Sequence, residues 1–154
     1  MDTQTATAPA PDYSDISKIS LEAKIKKLQE WREDPVVYFK ERLGIPEFKP
    51  NGDRNLAEHE VKMLRALPEA IYFRKAVVVS SANAMGKDWT ISGRAALWFF
   101  ECFGPCKVVQ TATGERQVLD IMWSELKIAY DKRPSNDPMG KLTTGKLEAG
   151  PDWF

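Results

Sequence analysis

The most telling pattern of apolar and polar positions is a β-branched run followed by a loop of small residues and a helix. Residues 75–80 read KAVVVS and contain a continuous apolar run at 76–79, typical of a strand buried on both faces of a parallel sheet. After a loop at 81–86, helical spacing of apolar positions predicts a helix over residues 87–103. A second run at 107–111, KVVQT, predicts another strand, and a long helix is predicted over about 115–132. This strand–helix–strand order predicts a parallel sheet with a right-handed crossover.

The first half of the chain carries helical patterns and no strand signal. Residues 1–15 are rich in Thr, Ala and Pro, which predicts a disordered tail. Asp34 is placed to cap a helix with Pro35 in its first turn, and Gly44 is placed to end it. Helices are therefore predicted over about 17–32, 35–44 and 56–67. The chain divides into the tail at 1–15, a helical extension at 16–70 and the start of an α/β domain at 71–154.

Composition narrows the class of protein without naming a partner. The 154 residues suggest one domain, and 22 Lys and Arg balance 22 Asp and Glu. Because the net charge is zero, the chain as a whole has no excess of positive charge that would attract DNA. No apolar stretch reaches the length of about 18 residues that a membrane span needs, so none is predicted. The N-terminus lacks the basic start and apolar centre of a signal peptide.

The loop at 81–88 has the chemistry of a phosphate cradle. Backbone N–H groups at a loop and at a helix start point toward an anion, and the helix dipole favours negative charge there. Gly86 and Lys87 match the end of the P-loop pattern G-x-x-x-x-G-K-[ST], in which the lysine reaches the β- and γ-phosphates of a nucleotide. Ser81 replaces the first glycine, and Asp88 replaces the hydroxyl residue. The alternative is a glycine-containing turn that binds nothing.

This interpretation assigns ATP and Mg²⁺ as cofactors and gives individual residues their roles. Lys87 is the predicted catalytic residue, because phosphoryl transfer needs the phosphate charge to be neutralised. Asp88 is the predicted metal ligand, since Mg²⁺ prefers oxygen, although its charge also repels a polyphosphate. Trp89 is placed either near the nucleotide base or in the core. The residues predicted to bind the nucleotide in this segment are Ser81, Ala82, Asn83, Ala84, Met85, Gly86, Lys87, Asp88 and Trp89.

Several blocks around the loop carry a resemblance to one protein family. The blocks are an LWFF run at 97–100, the turn Thr111-Ala112-Thr113-Gly114 followed by Gln117, the helix segment at 121–126 and the lead-in at 34–44. Together they resemble, over roughly residues 34–154, the N-terminal ATPase domain of phage terminase large subunits, the motors that package viral DNA. Glycine stands in the turn where that family commonly has proline.

The resemblance implies a fold, an activity and partners. It implies an α/β P-loop NTPase-type parallel sheet flanked by helices, with a helical N-terminal extension and an incomplete domain. The implied activity is ATP hydrolysis coupled to double-stranded DNA translocation in the host cytoplasm, with no membrane. The implied partners are double-stranded DNA, the portal protein, the small terminase subunit and further copies of the full-length chain. Glu60 is the nearest substitute for the glutamine with which the family reads adenine.

Departures from the family pattern leave alternatives open. The loop contains no arginine, and no hydrophobic run ends in Asp-Glu, the pair that supports hydrolysis. We therefore expect the chain to be the front part of a longer motor and to turn over little ATP by itself. The main alternative is a truncated or degenerate P-loop module that does not hydrolyse ATP and acts only through partner binding. Another nucleic-acid translocase, such as a helicase-like ATPase, is a further possibility.

Overall fold

The computed structural model describes residues 19–45, 55–80, 82, 85–132, 141–143 and 145–148, and 62% of them are helical. Five α-helices are described, α1 (Leu21–Glu33), α2 (Pro35–Glu41), α3 (Glu58–Tyr72), α4 (Ala96–Cys102) and α5 (Trp123–Asp131). Two π-helical segments, π1 (Asp88–Ala95) and π2 (Gln117–Met122), lead directly into α4 and α5. Two short strands, β1 (Lys141–Thr143) and β2 (Lys146–Glu148), complete the described elements.

The predicted parallel sheet flanked by helices is wrong for the described residues. Their sheet has two antiparallel strands, with Leu142 opposite Leu147. Residues 75–80 and 107–111, the two predicted strands, lie outside any ladder, and in the described chain the backbone of 76–80 and 107–111 forms no hydrogen bond. Val78 is 89% exposed. A strand buried on both faces needs a neighbouring strand and a covering layer on each side, and the described residues supply neither.

Helix α2 begins where the sequence predicts, whereas α1 begins at Leu21, later than the predicted start at about residue 17. The side chain of Ser20 accepts from the backbone N–H of Ala23 at 3.3 Å and begins α1. Asp34 Oδ1 accepts from the backbone N–H of Val36 at 2.9 Å, and Pro35 occupies the first turn of α2. A proline there loses no helical hydrogen bond, because the first N–H groups of a helix have no partner within it.

Helix α3 runs further than the sequence predicts, because it continues through Pro68 to Tyr72. It ends in a Schellman arrangement with Arg74 at φ 53°, in the left-handed region. The backbone N–H of Lys75 donates to the carbonyl of Ala70 at 2.8 Å, and that of Arg74 donates to Ile71 at 3.2 Å. These two bonds satisfy carbonyls at the helix end and turn the chain into the extended segment at 75–80.

A core of large aromatic and aliphatic side chains joins the helical extension to α4. Trp31 and Tyr38 are fully buried and meet edge to face, with ring centroids 5.3 Å apart. Trp98 donates its indole N–H to the carbonyl of Trp31 at 2.6 Å. The other large members of this cluster are Phe39, Leu64 and Leu97. The contact between Trp98 and Trp31 fixes α4 against α1, and α4 continues directly from π1, where the candidate loop ends.

The long helix predicted over 87–103 is present as π1 followed by α4. π1 packs directly on α5 at Gly93, where an added Cβ atom would stand 3.0 Å from the backbone carbon of Glu125. A larger residue at position 93 would force these two helices apart. π-helical turns are rare and often lie at functional sites. None of the described helices is both long and apolar enough to cross a lipid bilayer.

Candidate functional site

The candidate loop ends where π1 begins, and Gly86 makes the turn between them. Its φ of 78° lies in the left-handed region, which glycine adopts without steric cost. The carbonyl of Gly86 accepts from the backbone N–H of Thr90 at 2.8 Å, which is the first turn of the helix. Three residues of the predicted site, Ser81, Asn83 and Ala84, lie outside the described residues. Ala82, Met85, Gly86, Lys87, Asp88, Trp89 and Glu60 are described.

Lys87 folds back over the loop. Its Nζ lies 3.5 Å from the carbonyl oxygen of Ala82, a long hydrogen bond that closes the loop on itself. The side chain is half-buried. The ammonium group is therefore held beside the backbone carbonyl of Ala82. Because the bond to Ala82 is long, an anion can compete for the ammonium group at little cost.

Asp88 offers an uncommitted carboxylate at the start of π1. The residue is half-buried in the first turn, and within the described part of the chain its carboxylate takes part in no ion pair or hydrogen bond. Carboxylate oxygen suits Mg²⁺, which is often held by one or two carboxylates together with substrate phosphates. No group of three or more His, Cys, Asp or Glu side chains suited to a metal ion exists among the described residues. Asp88 therefore fits Mg²⁺ as a single protein ligand that needs oxygens from a bound phosphate.

Glu60, predicted to lie at the adenine, is buried beneath the loop–helix junction. It is 2% exposed. Its Oε1 accepts from the hydroxyl of Thr90 at 2.6 Å, and its Oε2 accepts from the backbone N–H of Ala57 at 2.9 Å. Both oxygens thus hold protein groups, and Glu60 joins the first turn of α3 to π1. Sequence reasoning missed Thr90 as its partner.

His59 is the second residue of the junction that sequence reasoning missed. Its Nε2 lies 2.9 Å from the carbonyl oxygen of Met85. A carbonyl oxygen accepts and cannot donate, so the imidazole donates through Nε2–H. The single signal in the sequence is the position of His59 beside Glu60. The first turn of α3 therefore contacts the chain on both sides of Gly86.

Trp89 lies in the core, which is the packing alternative given for it above. It is 9% exposed. The guanidinium of Arg94 lies 4.0 Å from the centre of its ring, within reach of a cation–π interaction. Arg94 also donates to the carbonyl of Trp89 at 2.9 Å and to Glu125 Oε2 at 3.1 Å. These contacts tie π1 to α5 directly behind the loop.

A groove of about 480 Å³ lies elsewhere on the molecule, between α4, the extended segment at 107–110 and the β-hairpin. Its walls are mostly apolar and include Leu97, Phe100, Val108, Leu119, Trp123 and Leu147. None of the predicted site residues lines it. The groove therefore does not extend the candidate site at Gly86 and Lys87.

The two cysteine thiols are held in their protonated form by burial. Burial raises the pKa of the Cys102 thiol well above 9.0, and the neighbouring charge of Glu101 raises it further. Burial also raises the pKa of Cys106, which is less enclosed. Both side chains are free thiols. Since the thiolate is the reactive form, neither thiol is suited to nucleophilic chemistry at neutral pH.

The free energy of unfolding is expected to fall as the pH rises above about 9, because of Cys102. At a pH below the pKa of this thiol in the unfolded chain, the folded and the unfolded states both hold its proton, and the free energy of unfolding has its full value. Above that pKa the unfolded thiol ionises while the folded one does not, at a cost of up to about 1.4 kcal/mol per pH unit. Urea unfolding of the wild type and Cys102→Ala between pH 7 and 10 measures this. The two curves should diverge above pH 9, and parallel curves would contradict the burial effect.

Comparison with known proteins adds no counterpart for this site. The chain matches no family model, no curated protein and no solved structure. The resemblance to terminase large subunits therefore stays a prediction. What the site does has to follow from Gly86, Lys87, Asp88 and the contacts that hold them.

Proposed function

We propose that the chain binds the triphosphate of ATP at the loop–helix junction of residues 82–88. In this proposal it is the ATP-binding part of a viral DNA-packaging terminase large subunit, which couples ATP hydrolysis to double-stranded DNA translocation. The supporting observation is the position of Lys87, whose ammonium group lies 3.5 Å from the Ala82 carbonyl, over a loop that Gly86 turns into a helix. The DNA, portal and small-subunit partners rest on the family resemblance alone.

The chemistry of the junction favours a polyphosphate over other anions. A helix start and its unpaired N–H groups attract negative charge, and the ammonium of Lys87 adds a full positive charge to that field. A triphosphate carries several negative charges along its length, so it can contact the N–H groups and the ammonium at once. In phosphoryl transfer, such fixed positive groups stabilise the charge on the transferred phosphate. Lys87 would supply this stabilisation.

Mg²⁺ fits the same junction through Asp88. The metal would neutralise phosphate charge and hold two phosphate oxygens together when bound. Asp88 would hold the ion, because its half-buried carboxylate has no other partner in the described chain. Without the ion, the same carboxylate repels the phosphates, so this chain should depend on Mg²⁺ for nucleotide binding more than a chain with a neutral residue there.

Binding without turnover is the second candidate function. The observation that favours it concerns the strands. Among the described residues, no parallel strand lies next to 75–80, so no strand end places a carboxylate beside the loop. Phosphoryl transfer to water needs a polar side chain, such as a carboxylate or an amide, to orient the attacking water. In this alternative the chain is a truncated or degenerate module that binds nucleotide and acts through partner binding.

Calorimetric titration with ATP, with and without Mg²⁺, tests the proposal directly. We expect weak binding that requires Mg²⁺ and negligible release of phosphate by this chain. No heat of binding at millimolar ATP would overturn the proposed function. Turnover that disappears in the Lys87→Ala variant would instead reject the binding-only candidate and support hydrolysis by the chain itself.

Replacing Asp88 with threonine is expected to strengthen Mg²⁺-dependent binding of ATP by about five- to tenfold. The change removes a negative charge from the phosphate site and supplies the neutral hydroxyl that the P-loop pattern places there. Calorimetry on the variant measures the effect. Asp131→Thr, which removes a charge from the exposed end of α5, is the matched control and should leave the affinity unchanged. Equal affinity for the Asp88 variant would count against a phosphate at this position. Weaker affinity would contradict the prediction and would show that Asp88 contributes more as a Mg²⁺ ligand than its charge costs.

A further inference from the structure

We propose that the first turn of α3 is a positioning clamp for the loop–helix junction, with His59 and Glu60 as its two positioning residues. The clamp acts on Met85 and Thr90, which lie on either side of Gly86. This inference rests on the proposed function, since it concerns the affinity of the same site for a polyphosphate. It assigns a role to a helix that lies well before the loop in the sequence.

The bond between Glu60 and Thr90 is the stronger half of the clamp. The two oxygens are 2.6 Å apart, Glu60 is 2% exposed and Thr90 is fully buried. The second carboxylate oxygen of Glu60 is fixed by the backbone N–H of Ala57 at 2.9 Å, so the carboxylate is held from its own helix as well. Hydrogen bonds to a charged acceptor in a buried site are among the strong ones.

The bond between His59 and Met85 is the other half. It joins the imidazole Nε2 to the Met85 carbonyl oxygen at 2.9 Å, on the loop side of Gly86. Gly86 has φ 78° and no side chain to restrict it, so its conformation depends on contacts on either side. The two bonds of the clamp supply those contacts from one rigid turn.

The clamp determines where Lys87 and Asp88 stand. Both residues lie between the two fixed points, Met85 and Thr90, with Lys87 as the N-cap of π1 and Asp88 in its first turn. A bond that fixes Thr90 also fixes the rotation of this turn about its axis, and hence the direction of the side chains just before it. A site held in its binding geometry before the ligand arrives loses less entropy on binding, so the clamp should raise affinity for a polyphosphate.

Thr90→Val and Thr90→Ser separate the hydroxyl from the shape of the side chain. Valine keeps the volume and removes the donor, whereas serine keeps the donor. We expect Thr90→Val to weaken ATP–Mg²⁺ binding about tenfold and to lower the ¹⁵N order parameters of Gly86 and Lys87, while Thr90→Ser stays close to the wild type. Unchanged affinity and order parameters in Thr90→Val would overturn the clamp, as would an equal loss in Thr90→Ser.

A second pair of variants keeps the inference testable if Thr90→Val does not fold. His59 is half-buried, and His59→Leu removes the N–H group that donates to the Met85 carbonyl. His59→Gln supplies an amide N–H that can donate in its place. Leucine should lower the order parameter of Gly86 and glutamine should recover it, and equal values in both would overturn the clamp. Lys127→Gln, an exposed change in α5, is the control and should leave the order parameter of Gly86 unchanged.

The order parameters are measured on the protein without ligand, so they test the clamp whether or not the protein binds ATP. If the wild type binds no ATP, the proposed function fails and the order parameters of the free protein still decide whether the clamp holds Gly86 and Lys87. If the wild type binds ATP and the variants bind equally well with equal order parameters, the proposed function stands and the clamp is rejected.

Discussion

Replacing Glu101 with alanine is expected to lower the free energy of unfolding by about 3–5 kcal/mol. Glu101 and Arg42 are both fully buried and meet through two hydrogen bonds, Nε to Oε2 at 3.1 Å and Nη2 to Oε1 at 3.4 Å. Alanine removes the carboxylate that accepts two hydrogen bonds from the guanidinium and balances its buried charge. The pair also joins α2 to α4, so its loss weakens the contact between the helical extension and the helix that follows the candidate loop. Urea unfolding measures the change.

Two variants test whether the cost comes from an unbalanced buried charge. The double variant Arg42→Met with Glu101→Leu removes both charges and keeps apolar volume, so it should be more stable than Glu101→Ala and close to the wild type. Lys127→Ala breaks an exposed pair with Asp131, 61% and 54% exposed at the side chains, and should change the free energy of unfolding by at most about 0.5 kcal/mol. A loss as small for Glu101→Ala as for Lys127→Ala would show that the buried pair contributes little.

The helices could be predicted from sequence because their signals are local. The cap at Asp34 and the proline after it lie within one turn of the helix they begin, and the helical spacing of Val61, Leu64 and Leu67 lies within α3 itself. The end of α3 at Tyr72 differs from the predicted end at about residue 67, because Pro68 lies within the helix and a proline commonly ends one. A proline removes one hydrogen bond, and the helix continues when packing and the bonds after it outweigh that loss.

The strands were wrongly predicted because a strand depends on partners far away in the chain. The run Val77 to Val79 has the composition of a buried strand, and composition carries no information about whether another strand lies beside it. In the structure Val78 is 89% exposed and Val109 is 68% exposed, so neither segment is buried on both faces. The β-branched composition of a strand is present in the sequence, but the described residues contain no sheet in which this strand could pair.

Part of the geometry at the loop–helix junction depends on local sequence, and part depends on residues far away in the chain. The turn at Gly86 and the helix that follows are local consequences of the sequence, and the position of Lys87 over the loop follows from its place in that turn. The bond from Glu60 to Thr90 joins two helices, so spacing could not predict it. The cap at Ala57 was also hidden, because the Ser or Thr that marks a capping box is replaced by alanine.

Replacing Lys87 with alanine is expected to weaken ATP–Mg²⁺ binding by roughly ten- to hundredfold. The change removes the one charge of the proposed site that attracts phosphate, while the N–H groups of the helix start remain. It should leave the midpoint of thermal unfolding almost unchanged, because the bond from Lys87 to the Ala82 carbonyl is long, at 3.5 Å. Calorimetry and thermal unfolding of the same samples measure both effects.

Lys87→Arg and Lys127→Ala show whether the effect belongs to the position or to the charge. Arginine keeps the charge on a wider, planar group that fits a different geometry, so it should recover part of the affinity and not all of it. Lys127→Ala removes the same charge from the exposed face of α5 and should bind ATP as the wild type does. If Lys87→Ala and Lys127→Ala lose affinity equally, the binding reflects the charge of the whole surface, since a general electrostatic attraction is screened by salt and does not depend on one side chain. If Lys87→Ala alone loses affinity and Lys87→Arg recovers part of it, the ammonium over the loop is the group that holds the phosphates.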